Sequence, residues 1–211
     1  MSDKIKKKIL SVDFDIIMYP CIKLYNHLVG GEENATQQWQ RLEDMLEIEK
    51  HLDYDGKLYV ALMGVLRKLY TKDNLLIVIK EHQEIIDFLK QMPEYDNATY
   101  DIVNVDFHHD LGYAPNTIQQ IVDFDEYNCA NWLGYLREQG LTDRLTWVDA
   151  PNSERPQNSE IEIVPISRIN SLKHEEFDYI FLCNSPQWVP YKYQHLFDAL
   201  TAALVVESDV Q

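Results

Sequence analysis

Short runs of apolar residues, each bounded by polar residues, constrain the fold of this chain most strongly. The clearest are Leu75–Ile79 (LLIVI) and Phe177–Cys183 (FDYIFLC), and further strand candidates are Ile9–Phe14, Thr99–Val105 and Arg144–Val148. A continuous apolar run of this length is typical of a strand buried on both faces of a parallel sheet. Helical patterns separate these runs, so the alternation predicts an α/β fold with a largely parallel sheet.

The remaining segments complete this prediction. Residues 1–8 are a charged lead-in, most of 20–70 is helical in pattern, and Glu160–Pro165 is an edge-strand candidate. The 211 residues show no repeat and no clear domain boundary, so we predict a single domain over 1–211. The predicted helices are Ala35–His51, Tyr59–Tyr70, Glu84–Met92, Asp125–Gln139 and Tyr191–Ala203.

Charge and composition limit the partners and the compartment. The chain carries 19 Lys and Arg against 35 Asp and Glu, a formal net charge of −16, which opposes binding to nucleic acid and favours cationic ligands. Its apolar runs are far shorter than the roughly 18 residues of a membrane span, and its basic start lacks an apolar signal region. Three scattered cysteines (Cys21, Cys129 and Cys183) indicate reduced thiols and a cytoplasmic location.

Metal-ligating residue types collect where three predicted strands end. The sequences there are SVDFD, KEH and VDFHHD. Because the carboxyl ends of parallel strands meet at one edge of a sheet, we expect these side chains to converge. The candidate ligands are Asp13, Asp15, His82, Asp106, His108 and Asp110.

The D-x-H-x-D run from Asp106 to Asp110 carries most of this prediction. Residues two apart in an extended segment point to the same side, so its three ligands face one point. A D-x-D pair such as Asp13 and Asp15 is common in solvated turns, but burying three unpaired ligands after an apolar strand would be costly. This mixed oxygen and nitrogen set suits Mn²⁺ or Fe²⁺ better than zinc.

These motifs resemble those of the arginase and ureohydrolase superfamily. DFHHD at Asp106–Asp110 resembles its D-A-H-x-D motif, SVDFD at Ser11–Asp15 resembles S-x-D-x-D, and Glu81–His82 stands where the family has G-G-D-H. The resemblance implies a three-layer α/β fold of the arginase and deacetylase kind. Here S-x-D-x-D comes first instead of last, so the metal motifs are circularly permuted, which a sheet with neighbouring termini tolerates. The glycines of G-G-D-H are missing.

The resemblance also implies roles for the ligands. Two Mn²⁺ ions would be bridged by Asp106 and Asp13. One ion would be completed by His82 and Asp110, and the other by the remaining pair, His108 and Asp15. Asp110 would in addition transfer a proton during catalysis.

A divergent branch that includes the peptide arginases of ribosomal-peptide biosynthesis is the more specific resemblance. It is carried by NWLGYL at Asn131–Leu136, by RLTWVDAP after it, and by NSPQWVP at Asn184–Pro190. Those enzymes convert arginine side chains within a precursor peptide to ornithine and release urea. The resemblance therefore implies an arginine-containing peptide as substrate.

Several site assignments stay open. His109 is a candidate proton shuttle, although the alternation points it away from the metals, and Glu81 and Asn131 are candidates for substrate binding. Glu32, Glu33 and Asp125 are weaker candidates for holding the guanidinium group, and the segment 30–55 is a candidate substrate-covering element.

Two other functions are compatible with the same motifs. One is a metal-dependent amide hydrolase of the deacetylase kind, and the other is a catalytically inactive, metal-stabilised module that binds a cationic peptide. The sequence leaves a homo-oligomer open.

Overall fold

The computed structural model of the protein describes residues 4–18, 35–46, 53–113, 125–156 and 161–208. These residues form one six-stranded sheet, with all strands parallel, in the spatial order β2-β6-β1-β3-β4-β5. The α/β class with a parallel sheet is thereby confirmed. The strands are β1 Ile5–Asp13, β2 Leu75–Ile79, β3 Ala98–Asp106, β4 Thr142–Asp149, β5 Glu162–Pro165 and β6 Tyr179–Cys183.

Five α-helices and four 3-10 segments connect the strands in the described residues. The helices are α1 Ala35–Leu46, α2 Gly56–Leu69, α3 Glu84–Leu89, α4 Trp132–Glu138 and α5 Gln194–Ser208. The 3-10 segments are Phe14–Met18, Tyr95–Asn97, Ile166–His174 and Tyr191–Tyr193. No helix among the described residues is long and apolar enough to cross a membrane.

Two hydrophobic cores lie on opposite faces of the sheet. Along β6, Ile180 and Leu182 enter one core, while Tyr179, Phe181 and Cys183 enter the other. Helices α2 and α5 and the 3-10 segment at 166–174 contribute to the first core, and α3 and α4 contribute to the second. Helices therefore flank both faces, an arrangement compatible with three layers.

Strand register aligns the carboxyl ends of the central strands. Asp13 of β1 lies opposite Cys183 of β6, and Ile79 of β2 lies on the other side of Cys183. On its other edge β1 pairs with β3, with Val12 opposite Val105, so Asp13 and Asp106 come next to each other. The segments that follow β1, β2 and β3 thus start from one short stretch of the sheet edge.

Strand β1 starts earlier than the sequence predicts. Lys6, Lys7 and Lys8 belong to it, whereas the sequence assigned them to a charged lead-in. Their ammonium groups pair with acidic residues of neighbouring segments, namely Asp143 in β4, Asp178 directly before β6 and Glu175 directly after the 3-10 segment at 166–174.

Helix α3 ends at Leu89 instead of the predicted Met92, and α5 covers Gln194–Ser208 instead of Tyr191–Ala203. For two further helices, α2 and α4, local contacts explain the difference from the predicted bounds. Helix α2 begins at Gly56 because the Asp55 side chain accepts hydrogen bonds from the N–H groups of Lys57 and Leu58, an N-terminal cap. Helix α4 covers only the end of the predicted 125–139 segment, because Asp125 adopts a positive φ of 53° and an asparagine turn precedes the helix.

Candidate metal centre

All six candidate ligands lie at the carboxyl edge of the sheet. Five are buried and His108 is partly exposed. Each of three combinations of side chains offers three ligand atoms that lie within 4.8 Å of one another. The combinations are Asp13, His82 and Cys183; Asp15, Asp106 and His108; and His82, Asp106 and Asp110.

His82 faces three carboxylates, and we call these four residues the His82 group. Its Nδ1 atom lies 2.9 Å from Oδ2 of Asp110, 3.5 Å from Oδ2 of Asp106 and 3.6 Å from Oδ2 of Asp13. The turn after β2 places this imidazole at the sheet edge, because His82 lies between the end of β2 at Ile79 and the start of α3 at Glu84. One nitrogen therefore lies near carboxylate oxygens from the ends of β1 and β3.

A second imidazole defines the His108 group, which consists of His108, Asp15 and Asp106. Nδ1 of His108 lies 3.1 Å from Oδ2 of Asp15 and 3.8 Å from Oδ1 of Asp106. Asp106 thus presents one oxygen to each group. This is the geometry expected of a carboxylate that connects two neighbouring cation sites.

Short backbone turns aim the carboxylates. The N–H of His108 donates to Oδ1 of Asp106 at 2.8 Å, and the N–H of Asp15 donates to Oδ1 of Asp13 at 3.0 Å. Both are Asx-type turns, in which an aspartate binds the backbone two residues later. Asp110, the last residue of the DFHHD run, has a positive φ of 52°, which is uncommon for a residue other than glycine.

The carboxylates of the cluster are difficult to ionise without a cation. Burial raises the pKa of Asp13, Asp15 and Asp106 well above the ordinary aspartate value, and neighbouring carboxylates raise it further. Burial also raises the pKa of Asp110 to about 6. A divalent cation would remove this repulsion and stabilise the ionised forms.

Buried polar atoms in the cluster fit such a cation. Within the described ranges, neither oxygen of Asp15 has a well-formed hydrogen bond, and Nε2 of His82 has no partner. Burying a carboxylate with few hydrogen bonds is costly, so the arrangement of these atoms fits a bound cation. The donor set, carboxylate oxygen and imidazole nitrogen, is one that Mn²⁺ and Fe²⁺ accept.

Neighbouring side chains hold the ligands from behind. The indole N–H groups of Trp132 and Trp147 donate to Oδ2 of Asp110 at 2.7 Å and to the backbone carbonyl of Asp106 at 2.9 Å. Asn104 donates to Oδ2 of Asp106 at 3.2 Å. Such outer contacts orient metal ligands and raise their affinity.

A cavity of about 330 Å³ opens onto the cluster. Its walls include two aromatic side chains, Trp188 and Tyr113, and two further carboxylates, Glu81 and Glu154. The ring of Trp188 packs on His108 with centroids 4.8 Å apart, and Glu81 contacts the amide groups of two glutamines. The cavity therefore combines carboxylates with an aromatic surface that lies next to the His108 group.

Two predicted site residues do not line this cavity. His109 packs between Tyr113 and Trp147 and accepts a hydrogen bond at Nδ1 from the N–H of Leu111. Burial lowers its pKa to about 4, so the ring is neutral near pH 7. Asn131 stands at the start of α4, where its side chain accepts from the N–H of Asn128 at 2.7 Å.

The residues that the sequence suggested for holding a guanidinium group are also not found in the described part of the cavity wall. Asp125 is exposed and pairs with Lys90, away from the cluster. Glu32 and Glu33 lie outside the described residues, as does part of the segment 30–55.

The sequence reasoning missed three residues at this edge. Cys183 ends β6, and the strand-end argument used for Asp13 would have found it. Ser185 donates to Oδ2 of Asp13 at 2.6 Å, and Glu154 reaches the cavity from the loop after β4. An ion pair anchors that loop to the end of β4: the guanidinium of Arg155 lies 2.7 Å from Oδ2 of Asp149.

No protein-family model, curated protein or solved structure matches this chain. A function therefore has to be inferred from its own residues.

Proposed function

We propose that the protein is a hydrolase of the arginase kind that uses two Mn²⁺ ions to convert arginine side chains, within a peptide, to ornithine and urea. The observation that carries the proposal is the pair of imidazole–carboxylate groups joined through Asp106 beneath an acidic cavity. The adjacency of the two motifs supports it: S-x-D-x-D and D-x-H-x-D begin at the ends of the adjacent parallel strands β1 and β3.

Two metal ions are favoured over one by the ligand count. The His82 group and the His108 group share Asp106 but have separate imidazoles. Carboxylates outnumber imidazoles, which suits Mn²⁺, with Fe²⁺ as the nearest alternative. When bound, such a pair of ions supplies Lewis acidity and a more acidic water molecule at neutral pH.

Asp110 is the residue best suited to move a proton in this reaction. Hydrolysis adds water to the guanidinium carbon and breaks a C–N bond, so a proton must reach the departing ornithine amine. The Asp110 carboxylate lines the cavity and is held from behind by Trp132. A carboxylate in that position can accept the proton of the water and deliver it to the amine.

The cavity suits a cationic side chain. A guanidinium group carries a positive charge and a flat face, and Glu154, Glu81 and Trp188 offer carboxylates and an aromatic surface. The net charge of −16 would attract an arginine-containing peptide over a longer range. These features favour arginine over a neutral amide such as acetyl-lysine.

Urea release by the Mn²⁺-loaded protein tests the proposal, with an arginine-containing peptide, free arginine and an acetyl-lysine peptide as substrates. We expect urea from the arginine peptide. Turnover of the acetyl-lysine peptide alone would instead identify an amide hydrolase, and metal binding with no turnover would identify a binding module. Release from free arginine alone would contradict the peptide substrate.

Matched variants link the activity to the cluster. Asp106→Asn should lose both metal and urea release, measured by elemental analysis and a urea assay. Asp101→Asn, on the same strand but away from the carboxyl edge, should keep both. Full metal content in Asp106→Asn would contradict this assignment of the site.

A further inference from the structure

We propose that Cys183 is a thiolate ligand in the His82 half of the centre, so that the two halves prefer different metal ions. The half with the thiolate would select Zn²⁺ or Co²⁺, while the His108 group would keep Mn²⁺. This inference rests on the two-ion centre of the proposed function and changes the preferred ion at the His82 group from Mn²⁺ to Zn²⁺ or Co²⁺.

Strand register brings the thiol to the cluster. Cys183 lies between Asp13 of β1 and Ile79 of β2 in the sheet, and the chain reaches His82 soon after Ile79. The ligand atoms of Asp13, His82 and Cys183 all lie within 4.8 Å of one another. A metal ion of ordinary bond lengths fits between atoms at such separations.

The present partners of the thiol are weak. Cys183 is fully buried, and its Sγ lies 3.4 Å from the carbonyl of Lys80 and 3.3 Å from Oγ of Ser185. Ser185 in turn donates to Oδ2 of Asp13 at 2.6 Å. A thiol is a weak donor, so exchanging its contact to Lys80 for a metal bond sacrifices little.

Ligand softness separates the two halves. A thiolate selects softer divalent ions, whereas carboxylate-rich sets suit Mn²⁺. Among the described residues, the combination of Asp15, Asp106 and His108 offers only oxygen and nitrogen atoms. Binding at Cys183 converts the thiol to a thiolate, with one S–H bond broken, one sulfur–metal bond formed and one proton released to solvent.

Cobalt(II) reports directly on a sulfur ligand. We expect the Co²⁺-loaded protein to show a near-ultraviolet sulfur-to-cobalt charge-transfer band in addition to weaker visible bands. Cys183→Ser should lose the charge-transfer band and keep the visible bands. Cys129→Ser is the matched control, because Cys129 lines the cavity but belongs to none of the ligand combinations found in the described residues, and it should keep both.

Zinc retention gives a second readout. After loading with Zn²⁺ and dialysis against excess Mn²⁺, the wild-type protein should keep about one Zn²⁺ per chain. Cys183→Ser should lose that ion, because removing a direct ligand should reduce the zinc affinity by more than the roughly 10–100-fold typical of losing an outer contact.

X-ray absorption on the Zn²⁺-loaded wild-type protein keeps the test independent of how any variant folds. A sulfur neighbour at about 2.3 Å supports the proposal, and a shell with only nitrogen and oxygen at about 2.0–2.1 Å overturns it. A charge-transfer band that persists in Cys183→Ser also overturns it. In both of these results metal is bound, so the metal centre itself stands. Failure to bind Co²⁺ or Zn²⁺ while Mn²⁺ still binds would overturn the thiolate ligand alone, whereas failure to bind any of the three ions would remove the proposed function as well.

Discussion

The indole N–H of Trp132 and the Nδ1 atom of His82 meet at one carboxylate oxygen, Oδ2 of Asp110, at 2.7 Å and 2.9 Å. Trp132 is fully buried and begins helix α4. The packing of this helix against the sheet therefore sets the direction of a candidate metal ligand that follows β3. A change in the hydrophobic core should alter metal binding without touching the cavity.

Replacing Trp132 with phenylalanine tests this connection. The variant keeps an aromatic ring in the core but removes the donor to Asp110, so metal affinity should fall roughly 10–100-fold. Isothermal titration with Mn²⁺ measures the change, and circular dichroism checks the fold. Tyr135→Phe on the same helix removes a hydrogen bond to the exposed Asp125 and should leave affinity unchanged. If Trp132→Phe, like Tyr135→Phe, bound Mn²⁺ as tightly as the wild-type protein, the indole would not orient the ligand Asp110.

The stability that Mn²⁺ adds should increase with pH, because the metal-free protein loses stability as pH rises. The pKa values of the cluster carboxylates are raised by burial, so the folded metal-free protein holds protons that the unfolded chain has already released. Its stability should fall as pH rises from the unfolded aspartate value of about 3.9 through these raised values. Mn²⁺ competes with those protons and should stabilise the fold more at pH 8 than at pH 5.

Thermal unfolding in chelator and in Mn²⁺ measures this effect. At a Mn²⁺ concentration of about 100 times Kd, binding contributes about 2.7 kcal/mol. That is a rise in Tm of roughly 5–10 °C for a domain of this size. Asp106→Asn should show little of the rise. A Mn²⁺ effect larger at pH 5 than at pH 8 would contradict the proposed cause.

Glu154 should contribute to substrate binding more than to chemistry. It lines the cavity but belongs to neither the His82 group nor the His108 group. Glu154→Gln should raise KM for an arginine peptide about 10-fold, equivalent to about 1.4 kcal/mol, with kcat nearly unchanged. Glu138→Gln, a glutamate at the end of α4, is the control. A fall in kcat at unchanged KM would argue against this role.

Two glycine-to-alanine changes should have opposite effects on stability. A Cβ at Gly134 would lie 2.7 Å from the carbonyl oxygen of Leu111, so Gly134→Ala should cost about 1–3 kcal/mol. A Cβ at Gly64 meets only the end of Lys173 at 3.7 Å, so Gly64→Ala should stabilise helix α2 by up to about 1 kcal/mol. Urea unfolding curves measure both. If Gly134→Ala left the free energy of unfolding unchanged, the backbone after Asp110 would be able to shift at little energetic cost.

Buried strands and the residues that end them were readable from the sequence. Each observed strand overlaps its predicted range. The run YIFLC of β6 is apolar because both faces of this strand are covered, as predicted. The prediction was wrong for LLIVI, because β2 lies at the edge of the sheet and leaves Leu75 and Val78 exposed. Once the strands are parallel, their carboxyl ends share an edge, which is why Asp13, His82 and Asp106 could be grouped in advance. The hydrophobic pattern was informative for the internal strands β1, β3, β4 and β6, whereas it did not show that β2 is an edge strand.

Features that depend on tertiary contacts could not be predicted from the sequence. The predicted helix at 125–139 is shortened by the backbone of Asp125, and the 3-10 segment at 166–174 has no distinctive pattern. Glu154 reaches the cavity through an ion pair of its neighbour Arg155 with Asp149, and no periodic pattern encodes such a contact. Cys183 belongs with the readable features, but its thiol looks like ordinary packing until its neighbours are known.

The position of β6 has a consequence for the order in which the protein can fold. This strand is the last of the six in the chain, yet it lies between β1 and β2 in the sheet. In the described residues β2 pairs with β6 and with no other strand, so β2 has no partner on the ribosome until Cys183 has emerged. Pairing between segments this far apart in sequence is slow to form. We therefore expect a nascent chain to gain cation affinity late and abruptly, when β6 inserts and His82 is fixed beside Asp13.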